Sequence, residues 1–261
     1  GFAGLAPSLK TQALGKKLAL ANKESLVVGG KFLKTREILP IDSEHFGLKF
    51  LLENKTTPSK LIITASGGAF YKKPIKFLKD ATPSDALKHP NWDMGAKITI
   101  DSATMTNKLF EVMEAYWLYG IKDIEAVIEP TSAIHAVVEF IDGSSTMHLS
   151  RPDMKLAIAH AMLEKVEQNI VSHANLLDLK NIKFNKISLK KYPVFSLKDE
   201  VLASPDLGVV INAANEVGVF SFLEKKCSFL DISRLILGLA KKFKDIKISS
   251  IDEIYEVDKE V

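Results

Sequence analysis

The stretch IDSATMTNKLFEVMEAYWLYG, residues 100–120, decides how the rest of the chain is read. Asp101 or Ser102 can serve as an N-cap, and the spacing predicts one helix running from there to Gly120, a good C-terminal stop. At 100° per residue, Met105, Leu109, Val112, Met113, Tyr116 and Tyr119 share one face, which must be core. Thr104, Asn107, Lys108, Glu111 and Glu114 fall on an arc of about 120° opposite. That arc is either a solvated face steadied by a Lys108–Glu111 pair or a polar wall converging on a ligand. Helix starts with free N–H groups and a nearby lysine are natural anion sites.

Working outward, short apolar runs alternate with helical patterns from residue 18 to about 150, which indicates an α/β domain. Candidate strands are Leu18–Ala21, Leu61–Ala65, Lys97–Ile100, Ala126–Glu129 and Ala136–Phe140. Residues 166–200 are polar and read as a long connection. Residues 201–261 hold three segments with apolar spacing near 3.6: VVINAANEVGVFSFLEKK, DISRLILGLAKKFK and SIDEIYEVDKEV. They predict a small C-terminal helical bundle. At the other end, LAPSLKTQALGKK (5–17) reads as a helix feeding the strand LALA, the second half of a strand-helix-strand unit. With Gly1 in place of a methionine and no first strand, a fragment of a longer protein is expected.

The net charge of +3 over 261 residues is spread out, and pairs such as Lys72-Lys73 and Lys241-Lys242 lack the aromatic interleaving of a nucleic-acid surface. No run approaches 18 apolar residues, so neither nucleic acid nor a membrane is an expected partner. Cys227 is the single cysteine, which excludes internal disulfides and thiolate clusters and makes a reducing cytoplasm the default compartment. Any metal must then be a hard cation on oxygen ligands, or one held by histidine.

Four further stretches carry chemistry. In ILPIDSEHF (38–46), Asp42 and Glu44 flank Ser43; in an extended segment both carboxylates face one side and repel unless water or a cation intervenes. LIITASGGAF (61–70) ends an apolar run in Ser66-Gly67-Gly68, where glycines permit close backbone approach. KHPNWDMGAK (88–97) places His89, Trp92 and Met94 on a loop broken by Pro90 and Gly95, a candidate lid. LANKESLV sets Asn22, Lys23 and Glu24 directly after a strand, where polar groups meet ligands. His45, His135, His148, His160 and His173 show no metal-ligand spacing and are read as structural. Three carboxylates, hydroxyls, amides and a basic group form the inventory for a hard divalent ion plus a phosphorylated polyol.

LANKESLV, LPIDSEH, SGGAF, HPNWDMG, DSATMTNK followed by Glu111, SAIHA, RPDM and NAANE occur in this order. The series resembles the 1-deoxy-D-xylulose 5-phosphate reductoisomerase family over almost the whole chain. The resemblance implies a remnant of a Rossmann-like NADPH domain (1–41), an α/β catalytic domain (42–165), a linker (166–200) and a C-terminal all-α bundle (201–261), assembled as a homodimer. It implies that Asp42, Glu44 and Glu111 bind Mg²⁺ or Mn²⁺ (or Co²⁺). It makes Lys23, Glu44, His89 and Glu111 catalytic. Lys23, Ser43, Glu44, Ser66, His89, Ser102, Asn107, Lys108 and Glu111 would hold a small sugar phosphate. Asn22, Glu24, Met94 and Gly95 match cofactor-contacting positions, and Trp92 with Met94 matches the family's flap. No G-x-G-x-x-G occurs, so most of the NADPH site is expected to be missing and turnover by these residues alone to be weak or nil. Ala69, where the family often has Pro, and Asp93, where it often has Ser or Thr, lie beside the expected ligands. Two alternatives stand beside this reading: a divalent-metal sugar-phosphate lyase or phosphatase without redox cofactor, and a non-catalytic module built on the C-terminal helices.

Overall fold

The computed structural model describes residues 2–53, 56–175, 177, 179 and 182–261; Gly1, on which the chain opens, lies outside the described residues. Helix α1 (Leu5–Ala13) leads into strand β1 (Leu18–Leu20), as its sequence predicts. Helix α2 (Lys23–Gly29) follows, capped by Asn22, whose side chain accepts from the Ser25 N–H. Strand β2 (Ile38–Pro40) pairs in parallel with β1, and helix α3 (Ser43–Leu52) starts after two intervening residues.

A second, five-stranded sheet forms the centre. It consists of β3 (Pro58–Ala65), β4 (Ile124–Ile128), β5 (Ile134–Phe140), β6 (Ser145–Leu149) and β7 (Asn185–Lys186), in spatial order β6-β5-β3-β4-β7. β3 and β4 run parallel, while β5 lies antiparallel to β3 on its other side. The carboxyl end of β3 leads into Ser66, at the kind of position where open α/β sheets usually meet ligands. Three of the expected strands lie here at nearly their expected bounds, and β7 draws the polar 166–200 stretch back onto the sheet.

Lys97–Ile100 is not a strand. Helix α5 (Ala96–Thr104) covers it after the short helix α4 (Pro83–Ala86). The β-branched residues that suggest a strand instead bury Ile100, Ala103 and Thr104 at helical spacing, and Lys97 reaches Asp101 one turn on at 2.8 Å. The expected helix over 100–120 is therefore two helices. α5 ends at Met105, a buried residue in the left-handed region (φ 70°), and α6 (Thr106–Tyr119) begins a new direction. Asp101 and Ser102 belong to α5 and do not cap α6; Gly120 (φ 68°) does end it.

Helices α7 (Met154–Met162) and α8 (Lys198–Ala203) precede the C-terminal helices α9 (Leu207–Leu223), α10 (Phe229–Lys242) and α11 (Ile251–Glu260), which match the three periodic segments. One apolar cluster joins the sheet (Leu61, Ile63), α6 (Leu109, Val112, Met113) and the C-terminal helices (Val210, Ile232, Ile236). Among the described residues no helix is long and apolar enough to cross a membrane.

Gly68 sets the distance between the end of β3 and the end of α5. Its φ is +66°, and a Cβ there would stand 2.6 Å from the Ser102 carbonyl oxygen and 2.7 Å from the Ala103 Cα, both main chain. Gly15 has a similar φ of +64° with nothing within 4 Å of the same position. Gly15→Ala should cost about 1 kcal/mol, from backbone strain alone. Gly68→Ala should cost about 2–4 kcal/mol, since overpacking adds to the strain. Urea unfolding of the two variants reads the difference directly; equal costs would mean that the turn does not press on α5.

Candidate active site

Asp42 and Glu44 come together by a route other than the extended one. Asp42 is the N-cap of α3, and its Oδ1 accepts from the N–H groups of Glu44 (3.1 Å) and His45 (3.4 Å). Glu44 sits in the first helical turn, so capping geometry, not strand alternation, brings the two carboxylates near each other. Glu111 projects from α6 on the far wall. One oxygen from each of the three lies within 4.8 Å of the others.

Like charges this close and this buried need cations. Lys23, at the start of α2, donates to Asp42 Oδ2 (2.8 Å) and Glu111 Oε1 (2.9 Å). Lys108 donates to Glu44 Oε1 (2.7 Å) and to Glu111 Oε2. Burial opposes the charge of Lys23, but Asp42 and Glu111 outweigh it and hold the ammonium well above its ordinary pKa. Asp42 is likewise pulled well below the carboxylate range, burial being overcome by Lys23. Glu44 is pushed up, first by burial and then by the charge of Glu111. Two ammonium groups thus face three carboxylates, leaving an excess of negative charge on hard oxygen donors, the donor set that suits a divalent cation of the magnesium type.

These groups line one cavity of about 280 Å³ with Ser43, Ser66, His89, Trp92, Met94, Ser102 and Asn107. Ser66 Oγ lies 2.9 Å from His89 Nε2 and accepts from the Gly68 N–H (3.1 Å). Tyr192, buried, donates its hydroxyl to the Gly67 carbonyl (2.8 Å) and fixes the turn from behind. His89 is pushed down to about 4 by burial, with Lys108 adding to the effect, so its imidazole is neutral at pH 7. The break at Met105 lets Ser102, near one helix end, and Asn107, near the next helix start, face the same space.

Of the residues expected from sequence, Lys23, Asp42, Ser43, Glu44, Ser66, His89, Met94, Ser102, Asn107, Lys108 and Glu111 meet in this cavity. Asn22, Glu24 and Gly95 lie outside its lining: Asn22 caps α2, Glu24 pairs with Lys97 (3.1 Å), and Gly95 caps α5. Glu114 and Thr104 also leave the expected polar wall. Glu114 is buried against His45 Nε2 (3.0 Å), and Thr104 bonds Thr106 (2.8 Å). His135, read as structural, lines the cavity with Ser132 and Met154. All three stand in the quoted blocks SAIHA and RPDM, and residue type alone gave no reason to single them out.

Sequence models of the family match along the chain. Residues 1–30 match 1-deoxy-D-xylulose 5-phosphate reductoisomerase, and residues 38–119 and 149–261 match C-terminal domains of that enzyme. A 1-deoxy-D-xylulose 5-phosphate reductoisomerase from Campylobacter curvus is 73% identical over all 261 residues, which span 72% of that relative's length. The chain belongs to the 1-deoxy-D-xylulose 5-phosphate reductoisomerase family. The Campylobacter hominis reductoisomerase is 64% identical over 99% of this chain and 72% of its own length. Among solved structures, a reductoisomerase in complex with NADPH, fosmidomycin and magnesium superposes with a TM-score of 0.91 at 35% identity, over 100% of this chain and 71% of that one. The Zymomonas mobilis reductoisomerase in complex with NADPH gives 0.89 at 34% identity, over 100% and 70%. The α/β region with helical C-terminal region is thus the fold of the family.

Lys23 bridges two of the three carboxylates and is itself buried. Lys23→Met should therefore destabilise the metal-free chain by about 3–5 kcal/mol, the cost of leaving buried charges unpaired. Urea unfolding in the presence of a chelator measures it; a loss below about 1 kcal/mol, the value of a surface pair, would contradict the buried bridge.

Proposed function

We propose that this chain carries the metal- and substrate-binding part of an enzyme that converts 1-deoxy-D-xylulose 5-phosphate to 2-C-methyl-D-erythritol 4-phosphate with NADPH, acting as a homodimer in the cytoplasm. The observation that carries it is the meeting of Asp42, Glu44 and Glu111 within 4.8 Å, in a cavity that Ser66, Ser102 and Asn107 also line. The three carboxylates would hold the divalent ion, Mg²⁺ or Mn²⁺ (or Co²⁺), which when bound polarises carbonyl and hydroxyl oxygens and offsets enolate charge. Three solved relatives are complexes with magnesium, in keeping with that donor set.

The chain's own residues divide the remaining work. Ser66, Ser102 and Asn107 offer hydroxyl and amide donors to a phosphate, near the start of α6 whose first N–H groups favour anions. His89, neutral with Nε2 toward Ser66, adds a donor and brings no charge to be desolvated. Lys108 stands between these donors and the carboxylates, on Glu44 and Glu111 in this structure. Ser43 and Lys23 lie where the carbon skeleton would meet the carboxylates and are placed to orient its oxygens. Trp92 and Met94 line the cavity, where they would exclude water once substrate is bound.

NADPH fits these residues poorly. The sequence holds no G-x-G-x-x-G, and Asn22 and Glu24 are engaged in holding α2 and Lys97. We assign α1, β1, α2 and β2 to a Rossmann-like domain.

Calorimetric titration of 1-deoxy-D-xylulose 5-phosphate into the chain, with and without Mg²⁺, tests the proposal. Binding should require the ion and weaken at least about 100-fold in Glu111→Gln, because even residues behind metal ligands are worth 10–100-fold. NADPH oxidation by these 261 residues alone should be negligible. Binding that ignores both the ion and Glu111 would overturn the assignment of the carboxylates.

A further inference from the structure

Nine hydrogen bonds connect a buried carboxylate just past the end of β4 to a histidine that lines the cavity, and the mechanism above uses none but the last. Glu129, fully buried at the end of β4, is the first link. Its Oε1 accepts from the N–H (2.8 Å) and hydroxyl (2.7 Å) of Thr131, and its Oε2 from the N–H groups of Ala133 (2.9 Å) and Ile134 (3.3 Å). Four donors on one buried carboxylate give the loop between β4 and β5 a single shape. That shape includes Ser132, buried in the left-handed region at φ 56° and lining the cavity.

The 88–95 segment is fastened to this loop at one residue. Asn91 Nδ2 donates to the Pro130 carbonyl (2.9 Å) and to Ser132 Oγ (2.7 Å), using both of its hydrogens. The backbone around Asn91 then addresses His89. The N–H groups of Asn91 (3.2 Å) and Trp92 (3.0 Å) both point at His89 Nδ1. An Nδ1 that accepts carries no proton, so the neutral ring has its hydrogen on Nε2, the nitrogen that faces Ser66. The same fastening leaves the Trp92 ring 6.4 Å from that of His135 across the cavity. Asp93 and Gly95, beyond it, are exposed.

We propose that Asn91 is a positioning residue: its amide anchors the covering segment to the Glu129-organised loop, and so sets the tautomer of His89 and the place of Trp92. The inference rests on the reading of the cavity as a sugar-phosphate site. Asn91 is not itself a lining residue of the cavity and bonds none of the three carboxylates; it acts through the lining residues His89, Trp92 and Ser132.

Asn91→Leu keeps the size of the side chain and supplies no donor; Ser132→Ala removes one of the two acceptors. Long-range ¹H–¹⁵N correlation of the His89 ring, without ligand, should show one tautomer, protonated on Nε2, in the unaltered chain and a mixture in Asn91→Leu. Affinity for 1-deoxy-D-xylulose 5-phosphate with Mg²⁺ should fall about 10–100-fold in Asn91→Leu, the cost of a small misplacement at a reacting centre, and less in Ser132→Ala. Affinity for Mg²⁺ alone should stay unchanged in both. A general loss of structure would move the Mg²⁺ affinity too. Should Asn91→Leu fail to fold, the same readouts on Ser132→Ala decide. Unchanged tautomer and unchanged affinity in the folded variants would overturn the inference. If the unaltered chain itself does not bind the sugar phosphate, the functional reading fails, and the tautomer measurement still judges the anchor.

Discussion

Three carboxylates cannot share a buried space of less than 5 Å without compensating charge, and the architecture around them answers that constraint. Each comes from a different kind of local structure: a helix cap, a first helical turn and a mid-helix position. Each is matched to a lysine from another element, so α2, α3 and α6 are held together by charge as well as by packing. Coulomb attraction between such groups is strong only because water is kept away, and Glu111, Lys23 and Lys108 are all deeply buried. The excess of one carboxylate over the two ammonium groups makes the arrangement receptive to a divalent cation.

The wall proposed to hold the phosphate depends on a different device, close backbone contact between turns. Gly68 lets the end of β3 touch the end of α5, Tyr192 holds the adjoining Gly67 carbonyl, and Met105 turns the chain so that α6 starts beside Ser66. The C-terminal helices enter through Asn215 of α9, which donates to Asp101 Oδ1 (2.8 Å), while Lys97 joins Asp101 to Glu24. A residue more than a hundred positions downstream thus steadies the helix that carries Ser102.

Much of this was legible in the sequence, for identifiable reasons. The C-terminal helices have wide apolar stripes that no strand could bury, and Gly120 ends α6 as its lack of a Cβ allows. Asp42, Glu44 and Glu111 stand out as residue types even though the extended geometry first suggested for Asp42 and Glu44 is wrong. An aspartate before a helix is read through its cap, and the apolar run up to Pro40 masks that role. Other features were not legible. A left-handed methionine has no sequence signature, because tertiary packing imposes it, and Lys97–Ile100 has strand-like composition but is fixed as helix by burial on α6 and α9. Tyr192 and Asn91 gave no signal because their partners are carbonyls, which any sequence supplies.

The measurement closest to the central claim is anomalous diffraction from crystals of the chain soaked in Mn²⁺. The account predicts one strong peak bonded to an oxygen of each of Asp42, Glu44 and Glu111 at about 2.0–2.4 Å, with the Lys108 ammonium moved off the carboxylates. A map with no peak there, both lysines still in place and manganese bound elsewhere, would show that the three carboxylates are a structural charge cluster and not a metal site.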